Sequence, residues 1–450
     1  KALKIREKVL GKNHPNTLVS YEIKDLIVDK LFFIKETKLF FSKKAKVDKV
    51  EIKNFKLLKD FKIDFTQNIN IIIGENSSGK TSLLQAITLG ILEKNYIGEF
   101  NDYEKYITKT EKQSNIKLSF GKYEKEVKIF ENRRDIDKDF FPFVLAYGSN
   151  IFTMYDLNVD NIVGKILDNN IKRNFTDSIF KDYTDRFHNP KLILNTLARK
   201  EDDNAKEVEN TIRDTINYFI DDFQLEKDEN NQYAFRCKQG NIFKLINLSE
   251  GFRNSILLIS DIVIRLLGTG RDLDSNGVIL IDEFDRHLHP KWQSNLISKL
   301  EKKFPNIQFI LTTHNPMSIL DREADEISIL REIDGKIVAE KTIGTKNIDV
   351  GTVLLKYFGV ESLVGEEMQE KIRELSDLKL QGDLSEEEYK KLDELEDYFE
   401  YTPATNFIYN RAYFNFLIFL KHNKEIDFRD YEKMKDEDMV QLMERFKDLF

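Results

Sequence analysis

Eight consecutive residues, Gly74-Glu75-Asn76-Ser77-Ser78-Gly79-Lys80-Thr81, carry the most specific chemistry in the chain. A glycine, four variable residues and Gly-Lys-Thr, set between an apolar strand and an apolar helix, form a loop whose backbone amides point at phosphate together with the helix amino terminus. Lys80 adds a point charge for the β and γ phosphates, and Thr81 offers its hydroxyl to magnesium. Asn76, Ser77, Ser78, Gly79 and Ser82 complete the cradle, so the expected cofactors are ATP and Mg2+. A second acidic pair closes the apolar run Val278-Ile279-Leu280-Ile281. Asp282 would hold magnesium, directly or through water. Glu283 is the candidate general base for an attacking water, provided it is held within hydrogen-bond reach.

Leu248-Ser249-Glu250-Gly251-Phe252 precedes a helix expected over 253–266. Ser249, the Gly251 amide and the helix dipole make a second anion site. Alone, so short a pattern reads equally as a helix cap. His314 ends a strand in Phe309-Ile310-Leu311-Thr312-Thr313-His314, and a plain strand-end histidine is the alternative to a catalytic one. His287 and His289 stand two residues apart and suggest a metal, but no cysteine, third histidine or carboxylate pair clusters with them. A helix cap and packing corner accounts for them better.

The elements that must position these residues alternate. Val47 to Phe65 alternates apolar and polar residues as two short strands around a tight turn, Ile69 to Ile73 runs into the glycine loop, and Thr81 to Leu92 is apolar at helical spacing. Short strands with charged turns are expected over 94–140, a buried strand over 143–147, and a mostly helical stretch to about 236. Val278 to Ile281 is continuous and apolar, as a central parallel strand must be. Phe309 to Leu311 and Ile327 to Leu330 are further strands. Residues 361–400 hold fifteen acids and five bases in two expected antiparallel helices, the second begun by a Ser385–Glu388 capping box. A last helical segment is expected over 404–450.

With 450 residues, 33% of them charged, and a net charge of -8, the chain has room for two or three packed units, and its mean field argues neither for nor against nucleic acid. The single cysteine, Cys237, excludes a disulfide framework and a zinc ribbon, and fits a reducing cytosol. No run of about 20 apolar residues offers a membrane span, and the basic start lacks the apolar core of a signal peptide. The chain therefore reads as soluble and cytoplasmic, with no membrane partner. It opens on Lys1, as a fragment of something longer would.

Taken together, KNFKLLKDFKIDF, IIIGENSSGKTSLLQAI, VLAYGSN, LSEGFRN, VILIDEFDRHLHPKWQ and FPNIQFILTTHNP resemble the RecF and OLD-like branch of bacterial ABC ATPases, including ATPase subunits of anti-phage systems such as PtuA of Septu. The likeness spans roughly 45–350. It implies an α/β fold: an ABC-ATPase head, a P-loop NTPase with a mixed and parallel sheet, carrying a helical insertion and a helical carboxy-terminal segment. It also implies that Ser249 and Gly251 cap the γ-phosphate of a partner's nucleotide, that Asp285 contacts the partner's P-loop, and that His314 is a switch histidine on the γ-phosphate. Residues 1–42 look like part of a tetratricopeptide unit, which must stack on neighbours to bury its apolar face. The domains expected are that segment, an ATPase lobe over 43–150, a mainly helical insertion over 151–240, a second lobe over 241–350, and an acidic hairpin with terminal helices over 351–450.

Three departures from the family narrow the reading. Lys80 and Ser249 lie too close in sequence for the coiled coil of SMC proteins. Residues 350–450 show no strand-end glutamate followed by an Asp-x-Asp strand, the mark of the Toprim nuclease that OLD proteins carry, so this chain is not expected to cut DNA itself. Ser149 and Asn150 stand where a glutamine is expected after the 143–147 strand. The expected function is a slow ATPase that forms a homodimer or higher oligomer through its heads and controls an effector, a nuclease on another chain, in anti-phage defence. The alternative is a RecF-like repair ATPase that binds DNA in its closed dimer. A transporter subunit is disfavoured by the His-Leu-His-Pro and Thr-Thr-His-Asn-Pro segments.

Overall fold

The computed structural model describes residues 46–65, 68–92, 103–137, 142–149, 153–155, 158–171, 177–180, 186–286, 290–360, 362–363, 365–381 and 384–401. The tetratricopeptide-like segment, the expected helix over 404–450, His287, His289 and Asn150 lie outside them. Two units divide at Gly359 and Val360.

In the first unit β1 (Lys49–Phe55) and β2 (Leu58–Asp64) form the expected hairpin, and β3 (Ile69–Gly74) leads through the glycine loop into α1 (Lys80–Ile91). Then come β4 (Ser114–Phe120), β5 (Tyr123–Phe130), β6 (Arg133–Ile136), β7 (Val144–Tyr147) and β8 (Thr153–Tyr155). The next stretch holds α2 (Val159–Leu167), β9 (Arg186–His188), α3 (Pro190–Ala198), α4 (Asp203–Phe219), β10 (Phe223–Lys227), β11 (Tyr233–Cys237) and β12 (Ile242–Phe243). The second lobe follows with α5 (Glu250–Leu267), β13 (Gly277–Ile281), α6 (Pro290–Lys303), β14 (Ile307–Thr312), β15 (Ile327–Ile333), β16 (Lys336–Lys341) and α7 (Val350–Tyr357).

A six-stranded sheet in the order β16-β15-β3-β14-β13-β7 forms the centre, parallel except for β16. Its inner strands are buried on both faces, which is why β13 reads as an unbroken apolar run, and why β3 is apolar but for Asn70 and β14 but for Gln308 and Thr312. Successive side chains divide between two cores. Ile72, Leu280 and Ile310 pack with α1 and with the antiparallel sheet β2-β1-β4-β5-β6, while Ile71, Ile279 and Leu311 pack with α3, α4 and α5. α1 is thus enclosed from both sides, and every residue of it from Leu83 to Ile91 is buried.

The segment 151–240 is not simply helical. Four strands, β8 to β11, interrupt it, with β8 parallel to β9 and β10 antiparallel to β11. The pairing is anchored by side chains that helical periodicity does not reveal: Asn217 exchanges hydrogen bonds with the backbone of Leu225, and Asn195 accepts from the amide of Tyr233 at 2.8 Å.

The second unit is a hairpin of α8 (Glu366–Leu380) and α9 (Glu386–Tyr401) around Leu375, Leu378, Leu395 and Phe399. Its capping box is present: the Ser385 amide donates to Glu388 Oε2 at 2.8 Å, and the Glu388 amide reaches Ser385 Oγ at 3.4 Å. Among the described residues no helix is long and apolar enough to cross a membrane.

The carboxyl end of α1 is capped from the antiparallel sheet. Lys125, fully buried on β5, donates from Nζ to the carbonyls of Ile91 at 2.8 Å and Leu92 at 3.1 Å, and Arg134 donates to that of Leu89 at 2.9 Å. Cations belong at this end of a helix, where unpaired carbonyls gather. Lys125→Met removes a charge-assisted donor from carbonyls that water cannot reach. We expect unfolding free energy to fall by ~2–4 kcal/mol in urea titrations, since each such bond contributes about 1.5–3 kcal/mol. A loss below ~1 kcal/mol would show that the cap is dispensable.

Candidate active site

β3, β14 and β13 lie side by side and parallel, so their carboxyl ends open on one edge of the sheet, the usual ligand edge of such folds. The glycine loop leaves β3 there, Asp282 and Glu283 leave β13, and His314 follows β14. The loop needs its glycines: Gly74 has φ 151°, and a Cβ on it would lie 2.6 Å from the Leu330 carbonyl oxygen and 2.7 Å from Ser78 Oγ. Gly79, with φ 91°, caps α1 in the left-handed region. Asn76 and Ser77 sit exposed at the tip, Ser82 is half-buried in the first turn of α1, and the Ser78 amide donates to the Glu75 carbonyl at 3.2 Å.

Lys80 folds back over the loop. Its Nζ donates to the carbonyls of Gly74 at 2.9 Å and Glu75 at 2.8 Å, and more weakly to Ser78 Oγ at 3.4 Å. Burial pulls its pKa down to about 8, against the opposing pull of Asp282 and Glu283. Thr81 Oγ1 donates to Asp282 Oδ2 at 2.7 Å. The other oxygen, Oδ1, accepts from Thr312 Oγ1 at 2.5 Å, and the Asp282 amide donates to the Tyr147 carbonyl at 2.9 Å. A hydroxyl and a carboxylate oxygen side by side are hard donors suited to Mg2+, which binds through one or two carboxylates and fills its remaining positions with phosphate and water. Among the described residues no group of three or more histidine, cysteine or acidic side chains could hold a metal unaided.

Glu283 has φ 47°, costly for a residue with a β-carbon. Thr312 holds it there: the Glu283 amide donates to Thr312 Oγ1 at 2.8 Å and the Phe284 amide to the Thr312 carbonyl at 3.2 Å. The carboxylate stays partly open to solvent, 3.4 Å from Arg286 Nη1 and 3.8 Å from His314 Nε2. Burial and the nearby Lys80 charge lower the His314 pKa, so the imidazole is neutral at pH 7. Arg286 also donates to the Ser149 carbonyl at 2.8 Å, at the place where a glutamine was expected.

Asp285, expected to contact a partner's P-loop, is 4% exposed within its own chain, and its Oδ2 accepts from Thr313 Oγ1 at 2.7 Å and from Ser318 Oγ. Burial raises its pKa, and the two hydroxyls work against that shift. Its bonds tie β13 to the turn after β14 within one chain. Ser249 and Gly251 lie at the amino end of α5. Ser249 is exposed and makes no capping hydrogen bond with its side chain, and among the described residues no hydrogen bond joins either of them to the glycine loop. Lys80, Thr81, Asp282, Glu283 and His314 are therefore brought together, and the Ser249 group is not joined to them.

Sequence reading passed over Thr312, although it bonds to Asp282 and Glu283 at once. A signal existed: a threonine closes a buried strand and a second follows it, and a buried hydroxyl has to find a partner.

Residues 69–321, more than half of the chain, match the family described as "AAA domain, putative AbiEii toxin, Type IV TA system". The chain is 28% identical to Septu protein PtuA of Bacillus mycoides over 71% of its own length and 46% of that protein's. It is 36% identical to the Retron Vc95 probable ATPase of Vibrio cholerae over 32% of its own length and 30% of that protein's. The matched region thus spans less than half the length of either relative. Among solved structures, the SMC head domain from Thermotoga maritima superposes with a TM-score of 0.39 and 14% identity, covering 66% of this chain and 99% of that one.

The lysine yields a test. Without nucleotide, Lys80 loses its proton as pH rises through about 8. Phosphate oxygens favour the ammonium form, so binding must raise that pKa and take up a proton at any pH above it. Calorimetric titration with ATP at about pH 9, in buffers of different ionisation enthalpy, should show uptake approaching one proton. At pH 7 uptake should be near zero, and affinity should weaken as pH climbs past 8. Equal uptake at both pH values would contradict the assignment of Lys80.

Proposed function

The chain belongs to the AAA-domain family whose model it matches, and we propose that it is an ABC-type ATPase that binds ATP with Mg2+, closes on a second head and so controls an effector in anti-phage defence. One observation carries this reading: Lys80, Thr81, Asp282, Glu283 and His314 converge on one sheet edge, with Thr81 and Asp282 already 2.7 Å apart.

Each residue then has a task. The amides of the glycine loop and of the first turn of α1 receive the phosphates. Lys80, now bonded to loop carbonyls, moves its charge to the β and γ phosphate oxygens. Thr81 and Asp282 hold Mg2+, which when bound neutralises phosphate charge. Glu283 orients a water in line with the γ-phosphorus and takes its proton as the new P–O bond forms and the bond to the leaving ADP oxygen breaks. Neutral His314, beside Glu283, offers a hydrogen bond to the γ-phosphate. A partner head's Ser249 and Gly251 amide complete the site, so hydrolysis waits on association.

The defence role draws on the relatives: one is a Septu protein, another a retron ATPase. We place the effector, a nuclease, on another chain. Purified protein that binds duplex DNA tightly on its own, with strong salt dependence, would favour a repair ATPase instead.

Glu283→Gln keeps the size of the side chain and removes the base. We expect ATP hydrolysis to fall by about 10²–10⁴-fold, with ATP affinity retained and ATP-dependent dimer accumulating in sizing experiments. Hydrolysis at the parental rate would remove Glu283 from the mechanism.

A further inference from the structure

Hydrolysis as described leaves a buried ionic group on α5 unused. Asp261, on α5, is 3% exposed, and Arg265 one turn further on donates from Nε to its Oδ2 at 2.7 Å. The same oxygen accepts from the Tyr147 hydroxyl at 2.9 Å. Tyr147 ends β7, is fully buried, and stacks on Phe187 with ring centroids 6.0 Å apart. Its carbonyl accepts the Asp282 amide at 2.9 Å. One residue therefore joins α5 through its side chain and the end of β13 through its backbone.

Fold stability alone does not call for this trio. Taking a carboxylate and a guanidinium out of water costs several kcal/mol, and apolar residues of similar volume do as well or better in many buried sites. What the trio provides is one arrangement instead of many: the phenol and the carboxylate have no solvent to turn to, and packed interiors shift between discrete states instead of yielding gradually. Asp261 follows Ser249 by 261 − 249 = 12 positions in the same continuous helix, about 18 Å of rigid rod. An unbroken line of contacts runs from the amino end of α5 through Asp261 and Tyr147 to the backbone of Asp282.

We propose that Tyr147 and Asp261 are positioning residues that lock the Ser249 end of α5 in register with Asp282, so that capture of a partner's nucleotide by Ser249 and Gly251 is felt at the chain's own nucleotide site. The inference rests on the reading of Ser249 as a contact made across two heads. It adds a route by which the two sites answer to each other.

A double-mutant cycle on the full chain tests it. Tyr147→Phe deletes only the hydroxyl, and Ser249→Ala only the cap oxygen. ATP affinity of Tyr147→Phe should stay within about threefold of the parent, while each variant lowers the rate of hydrolysis. If the two act as one unit, the double variant should be within about twofold of the slower single. Distant independent sites combine to within ~0.5 kcal/mol, or about twofold, so a loss equal to the product of the two single losses overturns the link. A purely structural role for Tyr147 predicts that product together with a lowered melting temperature. Asp261→Asn, paired with Ser249→Ala, repeats the cycle should Tyr147→Phe not fold. If the parent hydrolyses ATP but Ser249→Ala matches it in rate, the two-headed reading fails, and this inference with it. If Ser249→Ala is impaired and the losses multiply, only the link fails.

Discussion

Asp282 is where the site is held together. Its two oxygens accept from Thr81 on α1 and Thr312 on β14, and its amide is bound to the end of β7. A carboxylate 4% exposed, without partners, would cost several kcal/mol or take up a proton. Two hydroxyls and a fixed backbone satisfy its oxygens and aim it at one point. Because the donors come from different strands and from the loop helix, they also fix the relative height of β3, β14 and β13. Nucleotide chemistry and sheet register are thus secured by the same bonds.

Thr312 makes this economical. β14 lies between the loop strand and the acidic strand, and the side chain at its end reaches both acids that follow β13. Its hydroxyl donates to Asp282 and accepts from the Glu283 amide, which meets both capacities of a buried hydroxyl. The left-handed turn at Glu283 is sustained by that second bond and leaves the carboxylate open to solvent between His314 and Arg286. Serine could supply the oxygen, but threonine's branched carbon also suits a buried strand.

Legibility in the sequence followed locality. The glycine loop, its strand and its helix are contiguous and obey spacing rules, and the Ser385–Glu388 box needs only four residues. Parallel strands buried on both faces show themselves as largely apolar runs, and β3, β13 and β14 were visible for that reason. What could not be read depends on pairings across the chain. β8 and β9 are three residues each, with too few side chains to show a period, and find each other only once folded. Tyr147 and Asp261 are 114 positions apart. In Asp285 the residue type was noticed and its surroundings were not, since nothing local says that Thr313 and Ser318 will enclose it.

That enclosure bears on the proposed two-headed site. Asp285 ties β13 to Thr313 and to Ser318 in the short 3-10 turn Pro316–Ile319, while Asn315 accepts from the Met317 amide at 2.9 Å to begin that turn. His314 lies between Thr313 and Asn315, so the backbone on both sides of it is fixed within its own chain. Glu283 is fixed likewise by Thr312 and Phe284. Neither the base nor the histidine therefore needs a partner to reach its place. What a second head can add is a cap over the open side of the nucleotide, and the exposed amino end of α5, its Ser249 hydroxyl uncommitted to capping, is built to offer one. On the proposed two-headed reading, association would control hydrolysis by completing the charge around the γ-phosphate, not by assembling the base.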